Sequence, residues 1–289
     1  MSNGIHISVK AEEILNILGF SITNSLIFSW LVMIIFLIIG IYYSRNIKRK
    51  KKSGVFYVLH MFFMYMHDLI ESVLHDKVTY FYPLLGAYFF YILLNNWMGI
   101  MPTVGSVLIK PINAVSEQLV VNNDLRTENA KDLIDSKHEQ SENIENELTS
   151  VEEHNEKIPL FRSNNADLNA TVALALITVF FVQFYGFKFN GFAYLKKFFN
   201  FTSPVMAFVG ILELISEFAR ILSFAFRLFG NILAGEILIT IVAALLPPVT
   251  SFILIPFFTL EIMAGAIQAL VFTMISTVLI GMATQKVQH

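Results

Sequence analysis

One apolar stretch of the chain carries polar groups at helical spacing. On a helix, neighbours on one face recur every three and four residues. Counting back from Arg227 by that spacing reaches Ser223, Arg220, Ser216 and Glu213, and counting forward reaches Asn231 and Ala234. A polar stripe therefore runs along an otherwise apolar helix, with Arg227 near its middle. A charge inside a membrane costs roughly three to more than ten kcal/mol. The guanidinium cannot shed that cost by losing its proton. Such a charge faces a water cavity or a carboxylate, or it is a structural ion pair or a snorkelling side chain. The residues alone leave these readings open.

Glu236 lies nine residues past Arg227, which turns it to roughly the opposite side of the helix. Further on, Glu261, Gly265 and Gln268 share a face. Buried carboxylates have raised pKa values and exchange protons near neutral pH. Two carboxylates and a glutamine on paired helices can line an aqueous path. They can equally well hydrogen-bond two helices together, and their spacing does not decide.

The elements that must hold these groups are membrane spans. Of the 289 residues, 55% are hydrophobic, 15% are charged and 28 are Phe. Much of the charge sits in two short zones, and long apolar runs fill the rest, the pattern of a multi-span helical membrane protein. The formal net charge of -2 offers no basic field for nucleic acid. With no cysteine, disulfides, iron–sulfur clusters and thiolate zinc sites are excluded. The start of the chain lacks the basic, apolar, small-residue order of a cleaved signal.

The expected order is as follows. A span over 26–43 is followed by Arg45, Lys48, Arg49, Lys50, Lys51 and Lys52, so it runs inward, with the N-terminus outside. Residues 54–76 mix aromatics with His67, Asp68, Glu71 and His75, and read as an amphipathic helix on the inner surface. A second span over 83–101 returns outward. Between residues 113 and 158 stand twelve acidic residues and few large apolar ones, a solvated insertion placed outside. A third span over 168–187 runs inward and is followed by Lys188, Lys196 and Lys197. From Pro204 to the Pro247–Pro248 pair no turn signal appears. One helix there would be about 63 Å long, against a hydrocarbon core of about 30 Å. Residues 249–284 make a second such segment. The expectation is an all-α membrane protein with about five transmembrane helices and a surface helix, the last two long, tilted and paired in a hairpin. Its parts are an external segment 1–25, two spans with the surface helix 26–102, an external acidic insertion 103–165, and a third span with the hairpin 166–289.

Within that frame, Phe226-Arg-Leu-Phe-Gly-Asn231-Ile-Leu-Ala-Gly-Glu236 resembles the signature of the F-type ATP synthase subunit a family. Ile267-Gln-Ala-Leu-Val-Phe272 resembles that family's second signature. Phe81-Tyr-Pro-Leu-Leu-Gly86 and Asn95-Asn-Trp-Met-Gly-Ile-Met-Pro102 resemble its second span, and Ala166-Asp167-Leu-Asn169 resembles the opening of its third. The resemblance implies a proton-translocating stator subunit in a bacterial plasma membrane, or alternatively the mitochondrial inner membrane, with the C-terminus cytoplasmic. It implies the rotor c-ring, the peripheral-stalk b subunits and the remainder of the ATP synthase as partners. The chain would not act on ATP itself, and it calls for no cofactor and no metal.

By the same resemblance Arg227 matches the essential arginine that faces the rotor carboxylate. Asn231, Glu236 and Gln268 match the outer half-channel, with Asp167 and Asn169 at its mouth. Ser223 and Glu213 match positions nearer the inner path. Glu261 stands where some members have His, so protons would pass between carboxylates and water. Two departures are visible. Ile221 stands where the family often has Pro, and the acidic insertion replaces a short external loop.

Weaker signals point elsewhere. His67, Glu71 and His75 have a spacing metals use, but read as a solvated polar face. Gly230 and Gly235 have P-loop spacing, but Glu236 occupies the Lys position. Asn169-Ala-Thr171 and Asn200-Phe-Thr202 match a glycosylation pattern by chance. A secondary transporter would show paired repeats and broken helices, and neither is seen. A structural scaffold has no need of Arg227, Glu236 and Gln268.

Overall fold

The computed structural model describes residues 13–17, 20–49, 51–101, 108–109, 158–159, 162–195, 198, 203–245 and 252–285. They fall into two compact units: described parts of Ser29–Ile100 and Ser163–His289 form the larger, and described parts of Ala11–Phe28 and Met101–Arg162 the smaller. The first described elements are an antiparallel pair, β1 (Glu13–Ile17) and β2 (Phe20–Thr23). α1 (Asn24–Ile47) follows, and the Thr23 hydroxyl accepts from Leu26 N at 3.3 Å to cap it. After α2 (Gly54–Leu74) comes a 3₁₀ turn, His75–Lys77, and then α3 (Val78–Gly99). β3 (Leu108–Ile109) pairs with β4 (Ile158–Pro159). A second 3₁₀ turn, Asn164–Ala166, leads into α4 (Leu168–Asn190), the short α5 (Phe192–Leu195), α6 (Pro204–Leu245) and α7 (Leu254–Thr284). Among the described residues, five helical stretches are long and apolar enough to cross a membrane: α1, α2 with α3, α4, α6 and α7. Among the described residues the fold is all-α apart from two short ribbons.

Local chemistry explains most boundaries. The Asp167 carboxylate accepts from Asn169 N at 3.0 Å and caps α4, while Gly191, at φ 57, ends it. Pro204 sits in the first turn of α6, where a missing N–H costs nothing, and the Ser203 hydroxyl accepts from Met206 N. α3 starts five residues before the span expected at 83. Pro83 is accommodated inside the helix, where it forgoes the bond to Thr79 O. His75 breaks the α2–α3 stretch with φ 48. The single uninterrupted α6, expected from the absence of a turn signal, is present over 42 residues. Lys50, Lys196, Lys197, the Pro247–Pro248 pair and the acidic stretch 113–157 lie outside the described residues.

The core forms where α2, α3, α4, α6 and α7 meet, around Met66, Ile70, Phe81, Leu85, Leu228 and Phe272. Aromatic edges lock the helices: Phe272 of α7 meets Phe224 of α6 at 4.8 Å and Tyr88 of α3 at 6.0 Å between ring centroids. At the other end of α7, Lys77 Nζ and Asn190 Nδ2 donate to the carbonyls of Thr284 and Ala283, at 2.7 and 2.8 Å. These bonds satisfy the last turn, whose carbonyls lack helical partners.

Candidate functional site

The polar stripe of α6 opens into a groove of about 310 Å³ lined by Ser216, Ala219, Arg220, Ser223, Phe224, Arg227 and, from α7, Ile275. Both arginines border it, but their surroundings differ. Arg220 Nη1 donates to both carboxylate oxygens of Glu217 at 2.7 Å, and Glu217 is only 7% exposed. Arg227 Nη2 donates to the Ser223 hydroxyl at 3.3 Å. Among the described residues Arg227 makes no ion pair. One guanidinium is thus balanced by a carboxylate, and the other has no counter-charge among the described residues. Glu217 was not singled out from the sequence, although its three-residue spacing to Arg220 is a sufficient signal. Glu213, one turn before Glu217, is half-buried on the same stretch.

Near Glu213 and Glu217, α5 supplies a residue the sequence did not flag. Tyr194 is buried and its hydroxyl donates to Gln183 Oε1 at 2.9 Å. Burial, then the Glu217 and Glu213 carboxylates against Arg220, push its phenol up to about 12.

The second half of α6 faces α7 in antiparallel register. The Glu261 carboxylate lies so close over Gly235 that a Cβ there would collide with it. Together with the Phe224–Phe272 contact, this puts Asn231 level with Gly265 and Gln268 level with Leu228. Glu261 is half-buried beside the residue that precedes Glu236, and Glu236 itself is exposed. Asn231 Nδ2 and Gln268 Nε2 are buried without a hydrogen-bond partner among the described residues. Around them runs an amide ladder: Asn165 Nδ2 donates to Asn96 Oδ1 at 2.6 Å, and Asn96 Nδ2 donates to Gly265 O at 3.0 Å. Asn96 and Asn165 are both buried.

Asp167 and Asn169 occupy the N-terminal end of α4, the first buried as the helix cap and the second exposed. The turn before them packs against α6. The structure therefore brings Arg227 to Ser223, Glu261 to Gly235, and Gln268 to the level of Arg227's neighbour. Among the described residues it brings Arg227 to no carboxylate, and Glu236 is not among those that line the groove. The histidine group also takes form, with His67 Nδ1 at 3.7 Å from Asp68 and 3.6 Å from Glu71. His75 leaves that face in the 3₁₀ turn. The carboxylates are more than half exposed, as a solvated polar face requires.

With this geometry in place, comparison with known proteins is decisive on kinship. The sequence profile described as ATP synthase A chain matches residues 26–281. A relative from Gloeobacter violaceus, ATP synthase subunit a, is 28% identical over 267 residues, covering 91% of this chain and 84% of that protein. Another from Hydrogenobaculum sp., also ATP synthase subunit a, is 32% identical over 140 residues, covering 46% of this chain and 64% of that protein. The match spans both long helices, the groove and the amide ladder, and the chain belongs to the ATP synthase A chain family.

Proposed function

We propose that this chain is the stator subunit that passes protons to and from a rotor ring of small carboxylate-bearing subunits, with Arg227 as the coupling charge. The observation that carries the reading is the contrast in the groove. Arg220 is held by Glu217, whereas among the described residues Arg227 has only a hydroxyl partner, which leaves its charge open to an incoming carboxylate. A structural arginine would have been neutralised in the same way.

The rotor carboxylate crosses lipid only when protonated, because the ionised form carries a large desolvation cost. Arg227 stabilises the ionised form as it passes and lowers its pKa. The same permanent charge blocks direct leak between two half-channels. Asn231, Glu236, Gln268 and Glu261 line the outer one, with Asp167 and Asn169 at its mouth. The unpartnered amides of Asn231 and Gln268 support this assignment, since a buried amide in a dry interior would find a partner. Ser223 and Glu213 belong to the inner one. Each proton crossing 100 mV supplies about 2.3 kcal/mol, so ATP synthesis on the partner subunits requires several.

In this reading the long helices α6 and α7 lie tilted against the ring. Part of the exposed apolar surface of α6, with Ile215, Phe218, Leu222 and Phe226, faces either ring or lipid. The peripheral-stalk subunits hold the chain still. The membrane is the bacterial plasma membrane, with the insertion 103–165 outside. The test is ATP-driven proton uptake in inverted vesicles. Arg227→Ala is expected to abolish coupled uptake at matched assembly. Coupled uptake that survives the substitution would make Arg227 structural and sink the proposal.

A further inference from the structure

We propose that Glu217 is a positioning residue whose task is to cancel the charge of Arg220, so that the groove offers the rotor carboxylate one net cation, Arg227. This rests on the reading of Arg227 given above.

The groove is bordered by two guanidiniums seven residues apart, about 10 Å along the helix axis. Two cations there would compete for one carboxylate. Both oxygens of Glu217 accept from Arg220 Nη1 at 2.7 Å, and Glu217 is 7% exposed, so its carboxylate is buried while Arg220 still borders the groove. Charge-assisted bonds to both oxygens in such a setting hold the guanidinium in place. Among the described residues, the rest of the surroundings adds one titratable partner from another element, Tyr194 on α5, which lies in the field of Glu217, Arg220 and Glu213. Glu213 and Arg227 stand on the same helix, α4 contributes neutral Gln183, and α7 contributes Ile275. Glu217 is thus the one buried carboxylate bonded to a groove arginine among the described residues.

Removing it while leaving Arg220 charged puts a second cation in the groove. A second cation favours the ionised rotor carboxylate and lowers its pKa. Reprotonation then needs a lower pH, so the alkaline limb of the proton-pumping profile moves down. A unit charge at about 10 Å and an effective dielectric of about 20 shifts a pKa by about one unit. Removing Arg220 alone has the opposite sign, because the residual carboxylate raises the rotor group's pKa and moves the limb up. Removing both restores one net cation and the native limb.

The experiment is the pH profile of ATP-driven proton uptake by the whole complex in inverted vesicles, normalised to assembled enzyme. Glu217→Gln is expected to move the alkaline limb down by about one pH unit, Arg220→Gln to move it up, and the double variant to return it. Should Glu217→Gln fail to assemble, the comparison of Arg220→Gln with the double variant carries the test. Unchanged limbs in every variant that assembles would overturn the inference and leave the pair structural. Arg227→Ala in parallel separates the two failures: uptake surviving there sinks the proposed function, while uptake lost there with unmoved limbs sinks only the role of Glu217.

Discussion

Gln268 Nε2 is buried without a partner, and that carries a cost in a folded protein. Leucine has a similar volume and no polar group to satisfy. Gln268→Leu is therefore expected to leave assembly and thermal stability unchanged or slightly improved. If the amide lines the proton path, the same change slows pumping roughly tenfold or more, since one hydrogen bond to a moving charge is worth about 1.4 kcal/mol. Proton uptake and a thermal melt on one preparation check both halves. Unimpaired pumping would take Gln268 out of the path. The shared helical face of the two arginines was legible from spacing, yet among the described residues only one of them carries a counter-charge. The carboxylate that neutralises Arg220 is three residues away on the same helix, so the pairing was available to inspection. What spacing could not say is that Glu217 turns inward and is shielded there.

Helix against helix, the close approaches occur at glycine. A Cβ at Gly186 of α4 would lie 2.6 Å from the Tyr194 ring, whose hydroxyl is anchored on Gln183. The ring has little freedom to give way. Gly186→Ala should cost about 1–3 kcal/mol by overpacking. A methyl group added at Gly40 of α1 would meet nothing within 4 Å. Gly40→Ala should instead gain about 0.5–1 kcal/mol from helix propensity. Thermal unfolding of the two variants in detergent checks the contrast, and equal shifts would mean that α5 does not pack on α4. Helix existence was legible because apolar runs and missing turn signals are local properties. Helix ends were less so: Pro83 reads as a start but is absorbed inside α3, because one lost hydrogen bond is tolerable where the flanking turns are packed.

Across the whole molecule, orientation follows from where Lys and Arg gather. Lys48 and Arg49 follow α1 and are exposed, and Met101 follows α3 and is exposed at 53%. The chain has no native cysteine, so single cysteines report without background. Lys48→Cys is expected to react with a membrane-impermeant maleimide in inverted vesicles, and Met101→Cys in right-side-out ones. The reverse pattern would invert the proposed topology and exchange the two half-channels. The lengths of α6 and α7 bear on the same scale. At 42 and 31 residues they exceed an upright crossing of about 20 residues. Tilt or curvature is the accommodation open to them, and a tilted pair presents a long face to the rotor ring proposed above.

The amino-acid order alone determined the helical membrane class, the sequence of spans, the unbroken run of α6 and the polar stripe through Arg227. All of these are properties of one segment, written in hydropathy and in the 3.6-residue period. Family kinship was legible in the same way, from motifs in order. Only the tertiary structure decided that Glu261 lies over Gly235, that Asn165 reaches Asn96 across 69 positions, and that Gln268 comes level with Leu228. The register of two helices is set by which side chains interlock, and a helix has no internal record of its partner's phase. The charge state of the groove needed both levels: spacing allowed Arg220 to meet Glu217, and packing buried the Glu217 carboxylate while leaving Arg227 with a hydroxyl.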